Sequence, residues 1–258
     1  MLFIPAIYFL LAIAAILLGL AIYWLIFLTE GVYFGSRVVV WLYDIYASRY
    51  DRIKQWDADE EINYLARPFV LEIEARRRPP LILDVAAGTG RLCRAVRAAG
   101  LLPDAHWVLL DASGKMLMQA ASHLGHDSRL NYIQHGAQHL PFEDASFDVV
   151  TCFEALEFMP KPEAVLAELV RVLRPGGLLI ITNRIGPIAR LMPGHTWTHA
   201  TVFKLLQEMG QRHISIRPFL LDYEWVSSSK AGHFRSLGRA DDPTMIGYLE
   251  SLAKLNYN

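Results

Sequence analysis

The chain begins with a long apolar stretch, because residues 2–28 contain no charged side chain. As an α-helix rising about 1.5 Å per residue, this stretch extends for roughly 40 Å, enough to cross a bilayer with some tilt. A cleaved signal peptide fits poorly, since the run is longer than an h-region and no Lys or Arg precedes it. A buried core helix of this length without one charge is uncommon. We therefore predict a membrane anchor over residues 1–30.

The charges that flank this stretch predict its orientation. No Lys or Arg precedes it, whereas four basic residues follow it: Arg37, Arg49, Arg52 and Lys54. The positive-inside rule then puts the N-terminus outside and everything after Glu30 in the cytoplasm. The pattern predicts a single-pass membrane protein whose catalytic domain is cytoplasmic.

Residues 31–78 carry an amphipathic helical pattern, and we assign them to a linker or lid. Apolar residues 38–42 precede three tyrosines that are interleaved with Asp and Arg. The stretch 32–56 fits a helix at the membrane surface or a lid packed on the soluble domain, and the pattern does not choose between them. Farther on, apolar residues recur at helical spacing up to Ile73.

Short apolar strands alternate with helices from residue 79 to residue 230. Strands are predicted over Leu81–Val85, 107–110, Leu130–Gln134, Phe147–Cys152 and 178–182, helices over 91–99, 115–123, 162–173 and 201–209, and an antiparallel pair over 213–217 and 223–229. This alternation is typical of a mostly parallel sheet covered on both faces. We predict an α/β domain with a Rossmann-like, doubly wound, seven-stranded sheet whose last strand is antiparallel. Residues 231–258 form a weakly patterned C-terminal tail.

Composition narrows the classes of function. The net charge of −1 provides no field that attracts nucleic acid, and the basic run at residues 76–78 fits a solvated helix end. Cys93 and Cys152 have no metal-binding spacing, so we expect two buried thiols. His195 and His199 have the spacing of a metal pair but no third ligand. We predict neither a nucleic-acid partner nor a metal.

A glycine-rich turn joins the first strand of this domain to its first helix, in the sequence from Asp84 to Gly90. Glycines at such a turn let the backbone approach a ligand closely. A dinucleotide fingerprint would place a third glycine where Cys93 stands. Asp111 ends the second strand, where its carboxylate can accept both ribose hydroxyl hydrogens of an adenosine ligand. The alternative role for Asp111 is a helix N-cap ahead of Ser113.

Five blocks of sequence follow one another along the chain: YDIYASRYD at 43–51, LDVAAGTG at 83–90, LD at 110–111 with Ser113 and Met116, LPF at 140–142 leading to SFD at 146–148, and RPGG at 174–177. In this order they resemble the class I S-adenosylmethionine-dependent methyltransferases, in the group that includes the ubiquinone/menaquinone methyltransferases. The resemblance covers residues 43–230.

The resemblance implies S-adenosylmethionine as the cofactor and assigns residues to it. The implied cofactor-binding residues are Asp84, Ala86, Gly88, Gly90, Asp111, Ala112, Met116, Ala137, Gln138 and Phe153. Tyr50 would close over the site. One departure concerns the adenine, because family members often have Asp where this chain has Gly136. The amide oxygen of Gln138 is the substitute that the sequence offers.

Methyl transfer requires mainly proximity and alignment, because the sulfonium is already activated. An oxygen or carbon nucleophile also needs a base, for which the candidates are Glu154, Glu157, His195 and Tyr50. We expect a membrane-anchored methyltransferase acting on a small or lipophilic acceptor of lipid or quinone type. The alternatives are a non-catalytic, membrane-tethered cofactor-binding or interaction module and an NAD(P)-dependent reductase, which Cys93 disfavours.

Overall fold

The structure is a computed structural model that describes residues 3–73 and 79–232. The predicted basic run at 76–78 and nearly all of the predicted tail at 231–258 lie outside the described residues. The strands are β1 Leu81–Val85, β2 His106–Asp111, β3 Leu130–Gln134, β4 Phe147–Cys152, β5 Leu173–Arg184, β6 Gln211–Phe219 and β7 Tyr223–Lys230. They form a single sheet in the order β3-β2-β1-β4-β5-β7-β6, in which β7 runs antiparallel to both neighbours. The predicted seven-stranded Rossmann-like sheet is confirmed.

The α-helices of the described residues are α1 Phe3–Tyr23, α2 Ser36–Tyr46, α3 Tyr50–Ile53, α4 Ala58–Glu61, α5 Arg67–Ile73, α6 Arg91–Ala98, α7 Gly114–Leu124, α8 Pro162–Val172, α9 Gly186–Arg190 and α10 His199–Glu208. Helices pack on both faces of the sheet, and α1 does not take part in this packing. Side chains alternate across β1, so Leu81 and Leu83 face the core beneath α8 and α10 while Ile82 faces α5, α6 and α7. Cys93 and Cys152 are buried free thiols, as expected.

Strand β5 differs from its prediction, because it begins before the Pro-Gly-Gly segment instead of after it. Phe147 pairs with Leu173 and Val149 pairs with Leu178, so β5 contains extra residues at this point. A Cβ on Gly177 would lie 2.6 Å from the Leu173 side chain, which explains why only glycine fits this bulge. The expected turn is therefore an irregularity inside the strand.

Most of the N-terminal helix is exposed, and its last turn contacts the domain. Among the described residues, one helix is long and apolar enough to cross a membrane, over Ile7–Leu28, and none of it is buried inside the protein. The core-helix alternative is therefore wrong. The last turn widens to a π-helix over Trp24–Leu28, and the chain then reverses through positive φ angles at Glu30 and Gly31.

Helix α2 folds back after this reversal and packs on the soluble domain. A Cβ on Gly31 would lie 2.8 Å from the Val38 side chain, so the glycine allows α2 to pack directly on the turn. Helix α2 also contacts α7. This stretch therefore packs on the soluble domain, and its assignment as a lid stays a prediction. We call residues 36–53 the lid.

Candidate active site

A cavity of about 420 Å³ opens where the carboxyl ends of β1, β2, β3 and β4 meet the lid. In a sheet of this topology, ligands bind at this edge, where the strand order reverses beside the first strand. The residues that line the cavity are Ser36, Arg37, Val39, Val40, Trp41, Tyr43, Asp44, Tyr50, Ala86, Gly88, Leu110, Asp111, Ala112, His135, Gly136, Ala137, Gln138, Phe153, Glu154, Ala155, Phe158, Met159 and Pro160. Seven of the ten predicted cofactor residues are among them.

The glycine turn provides an open floor for a ligand. Gly88 has a φ of +56°, and a Cβ built on it would meet no atom within 4 Å. Ala86 also has a positive φ, of 57°, and its side chain lines the cavity. Gly90 has another role, since its Cβ would crowd Leu124 and Ala120 of α7. It permits close packing of the turn against that helix and does not line the cavity.

Asp111 fixes the turn and lines the cavity. Its Oδ2 accepts a hydrogen bond from the Gly88 N–H at 2.8 Å, and its Oδ1 accepts one from the Ser113 N–H, also at 2.8 Å. Burial raises the pKa of Asp111 to about 6, although the bonds from these amides oppose the shift. Each carboxylate oxygen retains acceptor capacity, so Asp111 can also bind a vicinal diol.

Asp84 lies beneath this site, fully buried in β1. Its Oδ1 accepts a hydrogen bond from the Thr151 hydroxyl at 2.7 Å. Burial raises the pKa of Asp84 to about 7. The side chain does not line the cavity, and neither does Met116, which is also buried. These two predicted cofactor residues therefore support the walls of the site.

Gln138 occupies the space that a side chain at residue 136 would need. Its Oε1 lies 2.9 Å from the position of a Cβ on Gly136. Both residues line the cavity beside Ala137. Gly136 and Gln138 are therefore sterically complementary, and the amide oxygen lies where the family often carries an acidic side chain.

The lid contributes two tyrosines and an aspartate to the cavity. Tyr43 and Tyr50 are seven residues apart, so two helical turns bring their rings within 6.0 Å of each other. Burial raises the pKa of both hydroxyl groups, which keeps them protonated as hydrogen-bond donors. Asp44 accepts a hydrogen bond from the Ser113 hydroxyl at 2.5 Å and so fastens the lid to the start of α7.

A second set of contacts closes the other end of the lid. Asp51 accepts hydrogen bonds from the Thr89 hydroxyl at 2.6 Å and from Arg94 at 2.5 Å. His123 Nε2 lies 3.1 Å from the same carboxylate. Thr89 belongs to the glycine turn, so these contacts couple the lid directly to the floor of the cavity.

Two of the four candidate bases, Tyr50 and Glu154, line the cavity. Glu154 forms ion pairs with Arg91 at 2.5 Å and Lys54 at 3.2 Å. Burial alone would raise the pKa of Glu154, but these two cations outweigh it and lower the pKa. Glu154 is therefore an ionised carboxylate at the edge of the cavity.

The other two candidates do not line the cavity. Glu157 is buried, accepts a hydrogen bond from the Tyr223 hydroxyl at 2.5 Å, and has a pKa that burial raises. His195 Nδ1 lies 3.0 Å from the Met159 carbonyl oxygen, whereas His199 Nδ1 lies 3.0 Å from Glu224. The two histidines thus have separate partners.

Sequence reasoning missed several cavity residues. Tyr43 and Asp44 belong to the YDIYASRYD block, and their seven-residue separation from Tyr50 and Asp51 was the available signal. The start of α2, with Arg37 and Trp41, carried no comparable motif. These positions line the cavity because α2 folds back, which depends on the packing at Gly31.

These features fit S-adenosylmethionine. The open space above Gly88 accommodates a ligand against the backbone, and the Asp111 carboxylate is a suitable acceptor for ribose hydroxyls. Gln138 offers an amide to an adenine edge, and Phe153 supplies an aromatic wall.

Comparison with known proteins tests this fit. A family profile described as a methyltransferase domain matches residues 83–181. The ubiquinone/menaquinone biosynthesis C-methyltransferase of Saccharophagus degradans is 31% identical over 180 residues, which cover 68% of this chain and 70% of that protein. The chain belongs to the S-adenosylmethionine-dependent methyltransferase family. The family expected from the sequence, and its cofactor, are confirmed.

Other methyltransferases resemble shorter parts of the chain. The demethylmenaquinone methyltransferase of Clavibacter sepedonicus is 43% identical over 100 residues, which are 39% of each protein. The Stutzerimonas stutzeri ubiquinone/menaquinone biosynthesis C-methyltransferase is 34% identical over 154 residues, or 58% of this chain and 59% of that protein. The aligned part therefore spans between about two fifths and three fifths of these two relatives.

Solved methyltransferase structures share the fold. A methyltransferase from Aquifex aeolicus superposes with a TM-score of 0.53 at 19% identity and covers 69% of this chain and 97% of its own. Human N-acetylserotonin methyltransferase, solved with S-adenosylmethionine, gives a TM-score of 0.55 at 14% identity, with 75% of this chain and 57% of its own covered. At these identities the likeness concerns the methyltransferase fold.

Proposed function

We propose that this protein is a membrane-anchored methyltransferase that methylates a lipophilic acceptor of hydroquinone type. The observation that carries this proposal is the cavity itself, whose floor is the open glycine turn beside Asp111 and whose roof is a lid continuous with the apolar N-terminal helix. A methyltransferase of this build combines a cofactor site with an attachment to the phase in which such an acceptor dissolves.

The cofactor half of the cavity comprises residues that follow β1, β2 and β3. Asp111 would accept the ribose hydroxyls, and the open backbone at Gly88 would receive the methionine and ribose portion. Gln138 would meet the adenine edge. Ala86, Ala112, Ala137 and Phe153 would provide the apolar walls around these polar contacts.

The acceptor half that we assign comprises Val40, Trp41, Phe158 and Met159, which are the apolar lining residues of α2 and of the segment after β4. An aromatic ring fits such surroundings, and the protonated hydroxyl group of Tyr50 can donate a hydrogen bond to one of its oxygens. The Tyr43 hydroxyl already donates a hydrogen bond to Glu30. The names of two relatives refer to demethylmenaquinone and to ubiquinone/menaquinone biosynthesis, which agrees with a ring that carries two oxygens.

When bound, S-adenosylmethionine would supply an electrophilic methyl group to a ring carbon of the acceptor at the expense of its sulfonium C–S bond, and the ring proton would leave to a base. The hydroquinone form of the acceptor already carries the electrons that the new C–C bond requires. Glu154 is the proton acceptor that we assign, because it is ionised and lines the cavity. The lid holds the acceptor in line and excludes water from the reacting atoms.

The N-terminal helix would hold the enzyme at the membrane. By the charge rule, the domain would face the cytoplasm, since the basic residues follow the apolar stretch. The length of the Ile7–Leu28 helix, and the fact that none of it is buried inside the protein, support a membrane span.

The experiment uses the full chain in lipid vesicles that contain reduced demethylmenaquinone, with trideuteromethyl-labelled cofactor. Mass spectrometry should detect the labelled methyl group on the lipid, and Asp111→Ala should abolish it. Glu154→Gln should lower kcat at least about tenfold while S-adenosylhomocysteine binds within about threefold of wild type. A wild-type protein that binds the cofactor but labels no hydroquinone would refute the proposed acceptor.

A further inference from the structure

The last turn of the N-terminal helix contacts the soluble domain directly. Trp24 Nε1 donates a hydrogen bond to the Leu191 carbonyl oxygen at 2.8 Å, and the Trp24 ring stacks on Tyr33 at 5.1 Å. The Tyr33 hydroxyl donates a hydrogen bond to the Pro193 carbonyl oxygen at 3.2 Å. The segment after α9 is therefore bonded directly to a residue of the apolar helix.

These contacts determine how close the soluble domain lies to the membrane when the helix spans it. Trp24 lies four residues before the end of the apolar helix at Leu28, which corresponds to about 6 Å along the axis. The interfacial layer on each side of a bilayer is of about the same thickness. A domain bonded to Trp24 is consequently seated within that layer when the helix spans the membrane.

Part of the cavity lining is exposed at the start of α2, close to this helix. The exposed lining residues are Ser36, Arg37 and Trp41 in the first two turns of α2, and His135 and Pro160 on the domain side. Consecutive backbone hydrogen bonds link the chain from Thr29 to α2, so the start of α2 remains close to the anchor. We call Ser36, Arg37, Trp41 and Pro160 the mouth.

Exposed apolar side chains surround the same edge of the sheet. Phe34 is 57% exposed, Trp41 60% and Leu191 47%. Leu221 is 93% exposed at the β6–β7 turn, which is joined to the start of α9 by the Ile185 N–H and the Asp222 carbonyl oxygen. A concentration of exposed apolar side chains at one edge indicates a contact surface.

We propose that the mouth opens into the lipid interface beside the anchor, so that a lipophilic acceptor passes from the bilayer into the cavity between α2 and Pro160 without crossing water. The occupant of the apolar edge is the lipid surface, because that edge is continuous with the membrane helix through Trp24 and Leu191. Arg37 at the mouth is placed to meet lipid phosphates. This inference rests on the proposed function, since it takes the N-terminal helix as embedded.

Depth labelling tests the seating independently of catalysis. Cys93 and Cys152 are buried, so a surface cysteine introduced at Phe34, Leu191 or Leu221 can be labelled selectively with a polarity-sensitive fluorophore. The matched control is Leu71→Cys, which is 68% exposed on α5, the helix that leads to the opposite edge of the sheet. In vesicles of phosphatidylcholine and phosphatidylglycerol, the three edge labels should shift to the blue and be quenched by headgroup-proximal spin-labelled lipid. Edge labels that behave like Leu71→Cys would overturn the inference.

A kinetic comparison tests the route of entry. The Leu191→Glu/Leu221→Glu double variant should lose about tenfold in kcat/KM toward a long-tailed hydroquinone in vesicles. Toward a tail-less hydroquinone in water, it should remain within about twofold of wild type, as should Leu71→Glu toward both acceptors. Equal loss toward both acceptors, or loss toward neither, contradicts entry from the bilayer. Absence of all turnover by wild type would instead refute the proposed function, while the depth labels would still decide the seating.

Discussion

The amide oxygen of Gln138 lies 2.9 Å from the point where a Cβ on Gly136 would stand. The two residues therefore form a unit in which the glycine leaves room and the amide occupies it. The family often has a carboxylate at residue 136, and we propose that in this chain the amide of Gln138 would meet the adenine edge instead.

The first prediction concerns this unit. Gly136→Ala should displace the Gln138 amide and weaken S-adenosylhomocysteine binding by about fivefold, the value of one hydrogen bond. Gln138→Ala should cost about the same. Because both changes remove the same contact, the double variant should be no weaker than either single one in calorimetry. Additive losses would show that the residues act independently.

The lid contacts at Asp51 give the second prediction. Asp51→Ala removes the acceptor for Thr89 and Arg94, so the lid should open more often. We expect the dissociation rate of S-adenosylhomocysteine, measured by stopped flow, to rise about fivefold to thirtyfold. Glu60→Ala, at an exposed position outside the lid, is the control. An unchanged dissociation rate in Asp51→Ala would mean that these contacts do not hold the lid.

Asp84 gives a third prediction, about stability and pH. Its pKa is raised from 3.8 to about 7 by burial, so between these values the folded protein binds more protons than the unfolded chain. Stability from this group is thus present at low pH and is lost as the pH rises through 7.

Asp84→Asn removes this dependence and retains the acceptor for Thr151. As the pH rises from 5 to 8, the free energy of unfolding of the variant should increase by about 1–3 kcal/mol relative to that of wild type. The increase would be measured as a rise in Tm in detergent micelles. Asp144→Asn, at a side chain that is 79% exposed, should show no such trend. A gain that shrinks toward pH 8 would contradict the assigned ionisation.

The arginine of the RPGG block gives the fourth prediction. Arg174 pairs with Asp148 at 2.9 Å, and both side chains are buried. Asp148 also accepts a hydrogen bond from the Leu81 N–H, so it connects β1 and β4 to the start of β5. Removing the arginine breaks a buried ion pair of this carboxylate.

Arg174→Ala should therefore cost about 3–5 kcal/mol of stability. Lys204→Ala, which breaks an exposed ion pair with Glu208, should cost less than about 0.5 kcal/mol. Thermal unfolding of both variants measures the difference. If Arg174→Ala has the Tm of wild type but binds the cofactor more weakly, then Arg174 serves the cofactor site and does not stabilise the fold.

Much of the fold was predictable because each strand carries its own signal. Strands such as Leu81–Val85 and Phe147–Cys152 are short apolar runs bounded by turns, and the structure retains their boundaries. The start of β5 was not predictable in the same way, because the bulge at Gly177 depends on pairing with β4, which is a tertiary contact.

The site was predictable where a ligand contact depends on local backbone. The sequence predicts Gly88 because it lies in the turn after the first strand, and Asp111 because it ends the second strand. The roles of Asp84 and Gly90 depend on tertiary packing, which the sequence does not show. Asp84 is buried beneath the floor of the cavity, and Gly90 packs on α7. The contribution of α2 depends on the chain reversal at Gly31, for which the sequence offers only a glycine.

The most direct test of the central claim is calorimetric titration of S-adenosylhomocysteine into the full chain in detergent micelles. Wild type should bind, and Asp111→Ala should bind about tenfold to a hundredfold more weakly. Asp144→Asn should match wild type. Because the pKa of Asp111 is raised to about 6, wild-type affinity should also fall as the pH decreases through 6. A wild-type protein that shows no binding, or an Asp111→Ala variant that binds equally well, would contradict the account.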